Sequence, residues 1–192
     1  MNSKQNLKIR LYFTATITIA IFSLLLWNYF HGGVPSHHIL QRKDLPEISN
    51  GWGAILLPML TWFLLKRMQK RIVIHEDGSI SNGTKNTVYA FLAALIYGML
   101  LAVFFTFGIR DLPFYMLIGL LVIALFYPIF RSECLLGFVI GMTYTFGAIL
   151  PTGIGLLFMT LGAIIHLGIR PAILFVVKKS VQLFSSVNEK AS

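Results

Sequence analysis

The side chains able to do chemistry fall into two groups. The first lies in the stretch from His31 to Trp52, HGGVPSHHILQRKDLPEISNGW, which holds three of the five histidines together with Arg42, Lys43, Asp44 and Glu47. Imidazole is the commonest neutral-pH metal ligand, and the Gly-Gly-Val-Pro run after His31 could fold so that His31 meets His37 or His38. A divalent metal would then need a third ligand, which Asp44 or Glu47 is near enough in sequence to supply. Against that, no HExxH is present, and adjacent histidines cannot both point into one site without local distortion. The same stretch offers an anion or headgroup site, with Arg42 as a bidentate fork, Lys43 as a point charge and the Gly32 and Gly33 N–H groups completing a cradle. In that reading Asp44, Glu47 and Asn50 are further ligand-binding candidates. The plainer alternative is that Asp44 and Glu47 pair with Arg42 and Lys43, while Asn50 caps the next helix.

The second group is Glu133 and His166, candidates for a catalytic pair, with Arg131 and Arg170 beside them in sequence. His166 and Arg170 are four apart and so share one helix face. In an antiparallel hairpin about Pro151, Glu133 lies eighteen residues before the proline and His166 fifteen after it, at similar depth. Such a pair would be a proton relay or acid/base dyad, because ionisable groups inside membrane spans are costly and tend to be functional. The alternative is an ion pair of Glu133 with Arg131 or Arg170 that locks the hairpin. No Ser/His/Asp triad, P-loop or GxGxxG accompanies either group, and a single cysteine, Cys134, excludes an intrachain disulfide, a CxxC pair and a thiolate metal cluster.

The elements that must position these groups follow from composition. Of 192 residues, 56% are hydrophobic and 12% charged, against roughly a quarter charged in soluble domains. Lipid is the solvent that fits, and a spanning helix needs about 20 mainly apolar residues. Apolar runs over residues 11–30, 52–67, 88–109, 113–130, 134–150 and 152–169 predict an all-α polytopic membrane protein, a bundle of six transmembrane helices forming one domain over 1–192. The first run is too long for a signal peptide and lacks a small-residue cleavage site, so it reads as a retained span. The second is short, kinked by Pro58 and extended by snorkelling from Lys66, Arg67, Lys70 and Arg71. Residues 71–86 alternate β-branched positions and turn at Asp77-Gly78, a hairpin signal that gives a short cytoplasmic hairpin loop with a solvated His75. Gly137 and Gly141, followed by Gly147, Gly153, Gly155 and Gly162, point to the last two spans as the tightly packed centre. Thr14, Thr16 and Thr18 are expected to bond back to their own helix. Residues 171–187 either prolong the sixth helix past the membrane or lie in the membrane interface as an amphipathic helix, and the second fits Arg170 better.

Twelve Lys and Arg fall on one side of this arrangement and three, Arg42, Lys43 and Arg110, on the other, with Arg170 assigned to neither. The positive-inside bias places both termini in the cytoplasm, of a bacterial cytoplasmic membrane, and turns the 31–52 stretch outward. The net charge of +9 flanks apolar blocks, which suits anionic lipid headgroups and not nucleic acid. Expected partners are therefore the bilayer and a second copy of the chain. The leading functional expectation is ion or small-ligand translocation or binding, with 31–52 as outer vestibule. The alternatives are a membrane-embedded metal-dependent hydrolase or transferase acting on a lipid, and a structural or assembly subunit of a membrane complex.

Overall fold

The computed structural model describes residues 3–33, 36–38, 47–74, 80–109 and 111–191. Helix α1 covers Ser3–Phe30, and two short strands, β1 (Ser36–His38) and β2 (Glu47–Ser49), follow it. A 3-10 turn, Asn50–Trp52, leads into α2 (Gly53–Ile74), and then come α3 (Ile80–Thr106), α4 (Asp111–Phe126) and α5 (Ser132–Phe146). Helix α6 (Ile149–Ile164) runs through a π-helical segment, Ile165–Ile169, directly into α7 (Arg170–Ala191). Apart from the β1 and β2 pair the described chain is helical. Three stretches, Lys4–Phe30, Gly83–Thr106 and Ile149–Gln182, are long and apolar enough to cross a membrane. Helices α4 and α5, with 16 and 15 residues, are apolar but reach only about 24 and 22 Å at 1.5 Å per residue.

Several boundaries differ from those expected, each for a backbone reason. Helix α3 ends at Thr106 because Gly108 takes φ +74°, and the Ile109 N–H bonds to the Phe104 carbonyl at 3.2 Å in a Schellman-type closure. Helix α4 ends before Pro128, which has no N–H to continue the ladder. The turn between α5 and α6 lies at Gly147 and Ala148 and not at Pro151, which sits in the first turn of α6. There its missing N–H is one that has no intrahelical acceptor anyway. The expected β-hairpin over 71–86 is corrected: Arg71 to Ile74 belong to α2 and Ile80 to Asn86 to α3, so the link is helical on both sides. Asp77, Gly78 and His75 lie outside the described residues. Over 171–187, α7 continues α6 without a break, as in the first of the two alternatives for this segment. The wide π turn, closed by the Arg170 N–H on the Ile165 carbonyl, admits Pro171 into the helix.

Contacts fix the helix directions. Gln69 Nε2 of α2 donates to the Asn6 carbonyl of α1 at 2.7 Å, and the Arg10 guanidinium lies 4.0 Å from the Trp62 ring centre. Helices α1 and α2 are therefore antiparallel. Helices α3 and α5 run parallel along a seam of unusually close backbone approach. A Cβ at Gly137 would meet the Phe91 carbonyl oxygen, one at Gly141 the Leu95 carbonyl oxygen, and one at Gly98 would stand 2.7 Å from the Phe138 oxygen. The GFVIG motif thus packs on α3, whereas α6 meets its neighbours through Gly155 against Leu135 and Gly162 against Ile129. Buried Leu57, Leu64 and Met68 of α2 close the other side of α5 on Leu135, Leu136 and Val139. Of the three threonines in α1, Thr16 bonds back to Tyr12 and Thr18 to Thr14.

Substituting Gly141 by Val forces α3 and α5 apart and is expected to cost at least about 1–3 kcal/mol by overpacking. Gly119→Ala, at a position where a Cβ meets nothing within 4 Å, should leave stability unchanged or raise it by up to about 1 kcal/mol. Thermal unfolding in detergent compares the two, and equal melting temperatures would refute the seam.

Candidate functional site

The apolar face of α2 recurs at Leu57, Thr61, Leu64, Leu65 and Met68, all buried, and this periodicity carries Arg71 onto the same face. Its Nη2 reaches Glu133 Oε1 at 2.6 Å and Thr87 Oγ1 at 3.2 Å. The Glu133 side chain is 0% exposed and that of Arg71 31% exposed. Thr87 passes the chain of bonds on by donating to the Gly83 carbonyl at 3.0 Å. Three helices therefore meet at one buried ion pair, at the end of the bundle that carries the basic termini of α1, α2 and α3. Glu133 sits in the first turn of α5, where a carboxylate also complements the helix dipole. Its Oε2 has no hydrogen-bond partner among the described residues.

Glu133 and His166 are not brought together as a dyad. Glu133 pairs with Arg71 and not with Arg131 or Arg170. The His166 Nδ1 lies 2.9 Å from the Ala124 carbonyl oxygen, and its Nε2 lies 3.0 Å from Arg170 Nη1. A guanidinium only donates, so Nε2 accepts and Nδ1–H is left to donate to Ala124. The Ala124 carbonyl needs that donor: its normal helical partner would be the N–H of residue 128, which is proline. His166, carried on the π segment, thus closes the end of α4 and rests 5.8 Å from the Phe130 ring centre.

The residues of the 31–52 stretch lie at the opposite end. His31 is exposed, stacks on Trp27 with ring centres 3.9 Å apart, and places Nδ1 2.9 Å from the Trp27 carbonyl. The backbones of β1 and β2 pair antiparallel, setting His37 opposite Ile48 and His38 opposite Glu47. Arg42, Lys43 and Asp44 lie outside the described residues. Among those described, no group of three or more His, Cys, Asp or Glu side chains is gathered to hold a metal. Asn50, a candidate cap for α2, lies in the 3-10 turn that leads into it, and that turn is capped by Ser49, whose Oγ accepts from the Gly51 N–H at 3.1 Å. The Asn50 side chain instead lies so tightly on Gly147 that a Cβ there would overlap it. With φ +71° at Gly147, this is a position for glycine alone.

Beside the ion pair, α3, α4, α5 and α6 enclose a cavity of about 600 Å³, within the range of small-molecule sites of about 300–1,000 Å³. Its walls are Ala90, Ala93, Leu120, Phe138, Phe158 and their neighbours. Polar groups gather at the basic end, where Asn86, Tyr127, Arg131 and Cys134 line it. At the far end Tyr97, whose hydroxyl donates to the Met116 carbonyl, ties α3 to α4. Tyr89 is 66% exposed and Ile123 42% exposed, so the cavity opens sideways between α3 and α4. No described residue from 31–52 lines it. The roles of Arg71 and Thr87 were not foreseen, although the buried periodicity of α2 carries the signal for Arg71. Against protein-family models, curated proteins and solved structures, the chain finds no match.

Removing one member of the buried pair strands the other charge. Arg71→Met is expected to lower stability by about 3–5 kcal/mol, and Arg71→Met with Glu133→Leu together to recover most of that loss. Denaturation of the four proteins of this double-mutant cycle measures the coupling, and additive effects would show that the pair does not form.

Proposed function

We propose that this chain is a polytopic membrane protein of six spans, both termini cytoplasmic, that binds a small ligand within the α3–α6 half of its bundle. The observation that carries the reading is the cavity of about 600 Å³, largely apolar along its walls, with Asn86, Arg131 and Cys134 gathered at its basic end and the Tyr97 hydroxyl at the other end bonded to Met116. A packed bundle with no ligand to hold would be expected to fill such a volume, because interiors tolerate few voids larger than water. The six-span arrangement draws support from helix direction: α1 to α2 is antiparallel and α3 to α5 parallel, as an up-and-down path requires. The short α4 and α5 fit as spans if flanking groups such as Arg131 and Tyr127 complete their reach into the headgroups. The cavity favours binding over hydrolysis, since none of its lining residues forms a nucleophile and base pair. It also places the ligand away from the described residues of the 31–52 stretch. A second reading, an assembly role, draws on α7, where residues 170–182 are all exposed.

Two measurements test this. In a Cys134→Ser background, a cysteine at Ser36 should react with an impermeant maleimide on intact cells, and one at Ser180 only after permeabilisation. The reverse pattern overturns the orientation. Native mass spectrometry of the purified protein should find one retained amphiphile that Ala93→Trp, which fills the cavity, displaces. Protein that retains nothing, yet purifies with another membrane protein, would favour the assembly role.

A further inference from the structure

We infer that the cavity takes a single anionic amphiphile from the membrane, its acyl chain along the apolar wall and its phosphate or carboxylate on Arg131; this rests on the cavity's being a ligand site. Three observations carry it. First, Arg131 lines the cavity half-buried, and among the described side chains no carboxylate pairs with it. Glu133, two residues on, is taken by Arg71, and Asp111 opens α4 at the opposite end of that helix. An uncompensated guanidinium beside apolar walls is a charge waiting for an anion, and its planar fork suits a phosphate or carboxylate in particular. Second, the polar groups are segregated. Asn86, Tyr127 and Arg131 cluster at one end, while the wall runs along α3 from Asn86 to Tyr97, a rise of about 16 Å at 1.5 Å per residue. That is the shape and polarity of a headgroup with a chain, not of a hydrated ion. Third, the open side lies between α3 and α4, where exposed Tyr89, Leu92 and Ile96 flank the mouth on one helix and Ile123 and Phe126 on the other. A molecule entering there comes from the acyl region of a bilayer, with its headgroup already at the depth of Arg131.

Arg131 lends itself to a clean test because its structural duty is carried by its backbone, whose carbonyl accepts from the Cys134 and Leu135 N–H groups at 3.0 and 3.2 Å. Side-chain substitution leaves that cap intact. The protein in neutral detergent is titrated with dioleoylphosphatidylglycerol, dioleoylphosphatidylcholine and oleate, and bound adducts are counted by native mass spectrometry. Wild type should hold one saturable equivalent of an anion with a preference over phosphatidylcholine of roughly tenfold or more, the order expected of a charge-assisted hydrogen bond. Arg131→Gln should abolish the preference and Arg131→Lys restore part of it. A double Lys178→Ser, Lys179→Ser variant, which removes exposed charges on α7, should keep it in full. Phosphatidylglycerol bound without oleate assigns a diacyl phosphate, and oleate bound as tightly assigns a fatty-acid carboxylate. Equal retention of all three, displaced by Ala93→Trp, would overturn the anion assignment while leaving a ligand site. No saturable adduct in any arm would overturn both.

Discussion

A buried carboxylate in the middle of an apolar bundle has to be answered by a cation, and the Arg71 to Glu133 pair sets where everything else can sit. Glu133, Gly137 and Gly141 fall at i, i+4 and i+8 on α5, one stripe of the helix. Thr87, Phe91, Leu95 and Met99 fall on the matching stripe of α3. The ion pair joins the stripes at one end through Thr87, and the glycines let the two backbones touch along the rest. Sliding α5 by one turn would pull Glu133 away from Arg71 and drive larger side chains into the α3 carbonyls. Charge pairing and steric fit therefore select the same register. With α5 so placed, its far end carries Gly147 to Asn50, which fixes where α2 begins.

Backbone accounting explains much of what is irregular. In an apolar medium a free carbonyl or N–H is costly, and each proline creates one. Pro151 falls where no bond is lost, and the π turn before Pro171 absorbs the ring. Pro128 orphans the buried Ala124 carbonyl, and His166 answers it. A histidine that reads in sequence as a candidate acid or base is here a donor that closes a helix end. Arg170 holds its other nitrogen, which keeps the ring turned toward α4.

How much of this was legible in the sequence depends on whether the signal is local. Apolar runs, the long first helix, the back-bonded Thr16 and Thr18 and the small-residue motif at Gly137 and Gly141 are properties of one segment, and each reappears in the structure. The partner of a motif is not local. Gly137 and Gly141 were assigned to packing between the last two spans, and the helix they meet is α3, 46 residues upstream at Phe91. Glu133 was offered Arg131, Arg170 or His166, all on its own or the next helix, and it takes Arg71, 62 residues away. The α2 periodicity from Leu57 to Met68 had marked Arg71 as inward-facing, but four basic residues in six positions disguised it as one more interfacial charge. The strand-like alternation misled in the other direction: Ile72 and Ile74 alternate like a strand, yet they prolong a helix already under way.

The two ends of the bundle are built for different work. At the end away from the ion pair Asn50 is wedged on Gly147, Ser49 caps the turn before α2, and β1 pairs with β2. That end is held by close contact with a positive-φ glycine, and no described residue from 31–52 lines the cavity. At the basic end the ion pair joins α2, α3 and α5 and His166 braces the end of α4, and the cavity lies beside them. Its polar mouth and its sideways opening coincide only there. A solute entering at the Asn50 end would have to break the Asn50 and Gly147 contact and then pass the seam where α3 and α5 touch backbone to backbone. A lipid-like molecule sliding in between α3 and α4 has to break neither. The same close packing that specifies the fold thus closes one route and leaves the other, which is why the arrangement suits a site loaded from the membrane better than a path through it.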